Sequence, residues 1–271
     1  MYRLTECRAA SYRGATFAGW FCGLAQSMLL VGVVHAAGAL NDTGITFCGD
    51  ATTNTASCAT VGADGGTFPR QDARYGRDAQ ATAGKLAKVG GGGAGFDFTK
   101  IANNGAVLPA SAALGTAATD WACTRDNVTG LIWEVKTTSG LRDMSHYYTF
   151  YDRNPATNGG TAGYPSGGVC FAIGRCDTEK FTADVNSAGM CGASNWRMPT
   201  VKELEGIADL GNWPTIDPTY FPNTFYSPFW SSSPFVNYYK VWVVDFSNGA
   251  ASYSFYGKSG AGSIRLVRDG A

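Results

Sequence analysis

Six of the eight cysteines, Cys48, Cys58, Cys123, Cys170, Cys176 and Cys191, follow a segment with the marks of an export signal, and their pairing restricts the possible topologies more than any other feature. In residues 1–37, Arg3, Arg8 and Arg13 precede an apolar run from Trp20 to Val34, and Val34-His35-Ala36 resembles a small-residue cleavage pattern. Gln26 and Ser27 interrupt that run, which falls short of the roughly 20 apolar residues needed to cross a bilayer. It reads as a cleaved signal peptide, with no transmembrane segment expected after its removal. Cys7 and Cys22 leave with it. In an oxidising compartment the remaining six cysteines read as three disulfides, for which about 15 connectivities exist. Short loops favour Cys48–Cys58 and Cys170–Cys176, leaving Cys123–Cys191. A zinc site is disfavoured, because there is no Cys-x-x-Cys pair and His146 is the one imidazole that remains.

Losing the signal takes Lys+Arg from 21 to 18 and Asp+Glu from 21 to 20, a formal net charge of −2. No basic face is visible, so nucleic acid is not an expected partner. Charged residues make up 15% of the chain and glycines number 36, which fits a loop-rich, β-containing exported protein. Residues 38–117 read as an irregular, Gly-rich N-terminal extension. Within it, Gly90 to Gly95 satisfies G-x-G-x-x-G, but neither a buried strand before it nor a helix after it is expected, so it reads as a flexible turn.

From residue 118 to 271 the texture is that of a compact α+β domain. Asp126 and Asn127 form an Asx turn ahead of a strand over Leu131–Lys136. The spaced acids of a Ca²⁺ loop are missing there. Asp177 caps a helix from Thr178 to about Ala188, with Gly189 as its stop. Thr200 and Glu203 make a capping box for a second helix running to Leu210. A meander follows: strands at Phe229–Ser233, Val241–Phe246 and Ala250 to about Tyr256, with Asn248-Gly249 turning a hairpin, then a closing segment Ser263–Arg268. Period-two alternation puts Trp242, Val244 and Phe246 inside and Val243 and Asp245 outside. Catalytic motifs are lacking: His146 has no motif-placed nucleophile, Glu203 is occupied as a cap, and Ser231 to Ser233 lack the Gly-x-Ser-x-Gly elbow.

Four motifs carry a family resemblance over roughly residues 118 to 269. Asp126-Asn127-Val128-Thr129-Gly130-Leu131-Ile132-Trp133, Asn195-Trp196-Arg197-Met198-Pro199-Thr200 with Glu203-Leu204, Phe229-Trp230-Ser231-Ser232-Ser233-Pro234 and Ile264-Arg265-Leu266-Val267-Arg268 resemble the Lcl C-terminal domain family. The resemblance implies a C-type-lectin-like fold with two helices, mixed and mainly antiparallel strands, and a ligand-facing surface on the late strands and loops. Some proteins of this kind are variable proteins of diversity-generating retroelements, in which adenine-directed mutagenesis rewrites surface codons while a Trp and Arg framework stays. Matched to that pattern, the variable positions are Asn237, Tyr238, Tyr239, Val243, Asp245, Ala250, Ser252, Tyr253, Ser254 and Tyr256. Trp133, Trp196, Trp230, Trp242 and Arg265 are framework. The fold also resembles that of formylglycine-generating enzymes, but the late strands hold no paired cysteines. The expectation is an exported, non-enzymatic protein without cofactor or metal that binds a protein or cell-surface ligand through a Tyr-rich face.

Overall fold

Two antiparallel sheets and two separate hydrophobic cores organise the chain in the computed structural model, which describes residues 41–270 apart from 63, 255 and 256. The segment read as a signal lies outside the described residues. Residues 41–270 pack as one unit. The first sheet has strand order β1 (Phe98–Ala102), β2 (Trp121–Asp126), β3 (Leu131–Glu134), β7 (Val267–Asp269). The second has order β4 (Pro228–Pro234), β5 (Val241–Asp245), β6 (Ala250–Tyr253). Four helices accompany them: α1 (Asp72–Tyr75), α2 (Arg77–Thr82), α3 (Thr178–Ser187) and α4 (Val201–Glu205). No helix of the described residues is long and apolar enough to cross a membrane.

The stretch expected to be irregular contributes a strand. β1 pairs with β2 from Phe98↔Asp126 to Ile101↔Cys123, and Phe96, Phe98 and Ile101 are buried. The Gly run before it is packed rather than flexible. Asp97 accepts from the Val89 and Gly90 amides, both at 2.8 Å, while a Cβ on Gly95 would come within 2.1 Å of Asp42 Oδ2. The Gly90, Gly93 and Gly95 amides donate to carboxylates, which occupy donors that a phosphate cradle would use.

Local capping explains α3 and α4. The Asp177 carboxylate accepts from the Lys180 amide at 2.9 Å, and Gly189 ends the helical run in the left-handed region at φ 63°. Phe181 and Val185, four apart, are the face that α3 buries. At α4 the capping box is complete: Thr200 Oγ1 accepts from the Glu203 amide and Glu203 Oε2 accepts from the Thr200 amide. Thr200→Ala is expected to cost about 1 kcal/mol in denaturant unfolding, the usual loss for an N-cap hydroxyl. The helix stops at Glu205, short of the expected Leu210. The Asp209 side chain accepts from the Gly211 amide and from Asn212, a local alternative to the helical ladder that draws the chain into a turn.

The three disulfides are Cys48–Cys58, Cys123–Cys191 and Cys170–Cys176, the pairing that loop length favours. Cys123–Cys191 spans 68 residues and ties β2 to the turn after α3. A crosslink of that span removes roughly 4 kcal/mol of unfolded-state entropy in the loop-closure picture.

In the second sheet β4 and β5 contribute buried residues to both faces, whereas β6 is largely exposed. Phe229, Val244 and Phe246 join Trp133, Leu204, Ile216 and Phe221 in one core. Trp230, Val241 and Val243 join Tyr148, Phe150, Phe181 and Trp196 in the other. The first sheet is joined to this arrangement through the closing segment, where Trp230 donates to the Ser263 carbonyl at 2.9 Å and Arg197 pairs with Val267.

Candidate ligand-binding face

Double-sided burial corrects the inside–outside assignment along β5. Val243, expected outside, is 2% exposed. Alternation sorts residues into two faces but does not show that one of them is wet, and a strand buried on both sides reads as a near-continuous apolar run. Val241-Trp242-Val243-Val244 is such a run. Trp242, expected as core, is partly buried and belongs to neither core. It lies near the sheet's open end, with its ring centroid 5.3 Å from that of Phe235. Ser254 is also inside: it is 4% exposed, and its amide donates to the Val241 carbonyl at 2.9 Å. Asp245 is partly buried, and its carboxylate accepts from the Ser247 amide to hold the hairpin. Tyr256 lies outside the described residues.

The remaining positions lie at the surface, with Ser252 and Tyr253 toward the β4–β5 connection and Ala250 apart from them at the β5–β6 hairpin. Asn237, Tyr238, Tyr239, Ala250, Ser252 and Tyr253 are all exposed. The β4–β5 connection presents Tyr238 and Tyr239 with ring centroids 4.0 Å apart, and the neighbouring Tyr239 hydroxyl pushes Tyr238 above the ordinary tyrosine range. Asn237 is exposed yet builds the turn, since its side-chain carbonyl accepts from the Tyr239 amide and its backbone carbonyl from the Lys240 amide. On β6, Tyr253 packs against Phe235 at 5.0 Å and under Lys240 Nζ at 4.0 Å. Phe235, Val236 and Lys240 therefore complete the face, with Val236 93% exposed. The motif match passed over these three; the signal available for them was their position between Pro234 and Val241, in the connection that turns the two strands.

The remaining framework residues are interior. Trp133, Trp196 and Trp230 are buried, and the indole N–H groups of Trp196 and Trp230 donate to the Met190 and Tyr148 carbonyls at 3.0 and 2.8 Å. Arg265 is fully buried: it donates to the Glu134 carbonyl and to Thr224 Oγ1, both at 2.8 Å, and lies over the Phe221 ring. Burial pulls its pKa down to about 10. Beside it the Glu134 carboxylate accepts from Lys136 Nζ at 2.7 Å and from the Leu266 amide at 2.9 Å.

The three serines of the Phe229–Pro234 motif and the described cysteines are engaged within the fold. Ser231 and Ser232 donate to the Trp242 and Pro199 carbonyls, and Ser233 accepts from the Val201 amide. All six cysteines among the described residues are in disulfides. His146 is partly buried and meets Tyr148 edge-on.

The family model of the Lcl C-terminal domain matches residues 122–268. The chain belongs to the Lcl C-terminal domain family. Within the matched span lie the buried Glu134–Lys136–Arg265 cluster, both helices with capping side chains and the whole tyrosine face, whereas β1 lies outside it. The Lcl C-terminal domain here thus takes an edge strand from sequence that precedes it. No curated protein and no solved structure matches the chain. Three disulfides are the mark of folding in an oxidising compartment.

Proposed function

We propose that this protein is an exported, non-enzymatic binding protein whose C-type-lectin-like domain engages a protein or cell-surface ligand through the face around Tyr238, Tyr239 and Tyr253. One observation carries the reading: three tyrosines, 46–53% exposed, lie with Phe235, Val236 and Lys240 on the β4–β5 connection and the neighbouring part of β6, beside strands β4 and β5 that contribute to both cores. Tyrosine gives large contact area at low conformational cost and keeps a hydroxyl for hydrogen bonding. The two helices and small antiparallel sheets support the lectin-like assignment. Occupied serines and cysteines support a non-enzymatic role.

The test compares wild type with the Tyr238→Ala/Tyr239→Ala/Tyr253→Ala variant. Binding to intact cells that the wild-type protein labels should fall at least about tenfold, since truncating a central aromatic contact costs about 1–2 kcal/mol or more. The melting temperature should stay close to wild type, because surface substitutions cost little. Full binding by the folded variant sinks the proposal. A retroelement source of variety adds a pattern in DNA: changes at adenines, among isolates, cluster at Asn237, Tyr238, Tyr239, Ser252 and Tyr253 and spare Val243 and Ser254. Isolates that vary at random, with no template repeat or reverse transcriptase beside the gene, rule that source out.

A further inference from the structure

We propose that Asp42, Asp72 and Asp78 form a binding site for one hard divalent cation, Ca²⁺, independent of the tyrosine face. The three carboxylates come from separate places: the start of the described chain, α1 and α2. One oxygen from each lies within 4.8 Å of the other two. Ligands on opposite sides of a Ca²⁺ sit roughly 4.6–5.2 Å apart, given bonds of about 2.3–2.6 Å, so a single ion can reach all three.

The charge around these groups is unbalanced. Asp42 and Asp78 are 5% and 1% exposed, yet neither they nor Asp72 forms an ion pair with a lysine or arginine among the described residues. Their partners are neutral donors. Asp42 accepts from the Thr43 and Gly95 amides, Asp72 from the Thr43 hydroxyl, and Asp78 Oδ1 from the Gly95 amide. Asp78 Oδ2 is buried with no amide, hydroxyl or cation donating to it; burial, and after it the neighbouring Asp42 carboxylate, raises the Asp78 pKa to about 7. A buried carboxylate oxygen without a donor is costly, and buried charges are paired or coordinate metal. A cation in the midst of the three groups supplies the missing partner and the missing charge together. Carboxylates alone, with neither imidazole nor free thiolate, select a hard ion. Ca²⁺ suits ligands held on three separate segments, whereas Mg²⁺ demands near-octahedral geometry at shorter bonds and keeps most of its water.

Calorimetric titration of the full exported chain, first stripped with EDTA, tests this directly. The expected result is one Ca²⁺ per chain with a dissociation constant of about 10⁻⁴–10⁻³ M or tighter, as in extracellular modules, and Mg²⁺ at least about tenfold weaker. Saturating Ca²⁺ should also raise the melting temperature, because an ion bound to the folded state alone stabilises it. Asp72 is the most accessible of the three, so Asp72→Asn should fold, melt close to wild type in EDTA and bind Ca²⁺ at least about tenfold more weakly. Absence of binding heat and of any melting shift up to about 10 mM Ca²⁺ overturns the proposal. So does undiminished binding in both Asp72→Asn and Asp78→Asn, and equal affinity for Mg²⁺ overturns the assignment to Ca²⁺. Should a variant fail to fold, the wild-type titration still decides. Tyrosine-face binding that persists in EDTA keeps the two proposals separable.

Discussion

Glu134→Gln is expected to destabilise the protein by about 3–5 kcal/mol, measured by guanidinium unfolding. Exposed ion pairs contribute little, but Glu134, Lys136 and Arg265 are 0%, 3% and 0% exposed. The Glu134 carboxylate is the one negative charge bonded to Lys136, and it also fixes the Leu266 amide. Removing it leaves two buried cations facing each other with no counter-charge. The loss should be recovered in part by Glu134→Gln/Lys136→Met, because deleting the directly bonded pair leaves one buried cation, Arg265, in place of two. Burial already pulls Lys136 down to about 8, outweighing the pull of Glu134 in the other direction. The unfolded chain titrates near the ordinary lysine value of 10.5, so between these pH values the unfolded state holds more protons. Stability should therefore rise with pH across that window, and the rise should vanish in Lys136→Met. A Glu134→Gln protein as stable as wild type would contradict the account of the buried cluster.

Trp230→Ala should cost about 3–5 kcal/mol, while Trp242→Ala costs clearly less, about 1–2 kcal/mol. Trp230 fills the core beside Phe150, at 5.9 Å between ring centroids, and its indole N–H satisfies the buried Tyr148 carbonyl. Truncation leaves a cavity and removes one of the two donors to that carbonyl, the other being the Gly262 amide at 3.1 Å. The surroundings are shaped to that ring: a Cβ on Gly262 would approach Nε1 to 2.6 Å. Trp242 lacks both features, and its main ring contact is with Phe235. Chemical melts of the two variants compare the sites directly, and the opposite ranking would refute the placement of the two tryptophans.

What could be read from sequence follows the range of the interaction. The Asp177 cap, the Thr200–Glu203 box and the Asp126 turn were legible because donor and acceptor lie within three residues, where the backbone leaves few alternatives. The disulfides were legible because two of them close short loops and leave a single remaining pair. β1 was not, because its middle holds Lys100, which breaks the apolar pattern. Only the folded chain shows that this ammonium donates to the Ala112 carbonyl and lies 3.9 Å from the Trp121 ring centroid. Val243 was misplaced because burial on a second face depends on Tyr148, Phe181 and Trp196, which are distant in the chain. Asp42, Asp72 and Asp78 carry no ligand spacing that marks a loop; a fold is needed to gather them.

The charged cluster is closed by residues far apart in sequence. Arg265 and Leu266 reach the Glu134 residue across separations of 131 and 132 residues, and β7 pairs with β3. Neither the first sheet nor its buried charges can be completed while those last residues are missing, and contacts of such long range form slowly. A chain that has not yet gained Arg265 and Leu266 thus cannot close the cluster around Glu134, however much of the rest has formed.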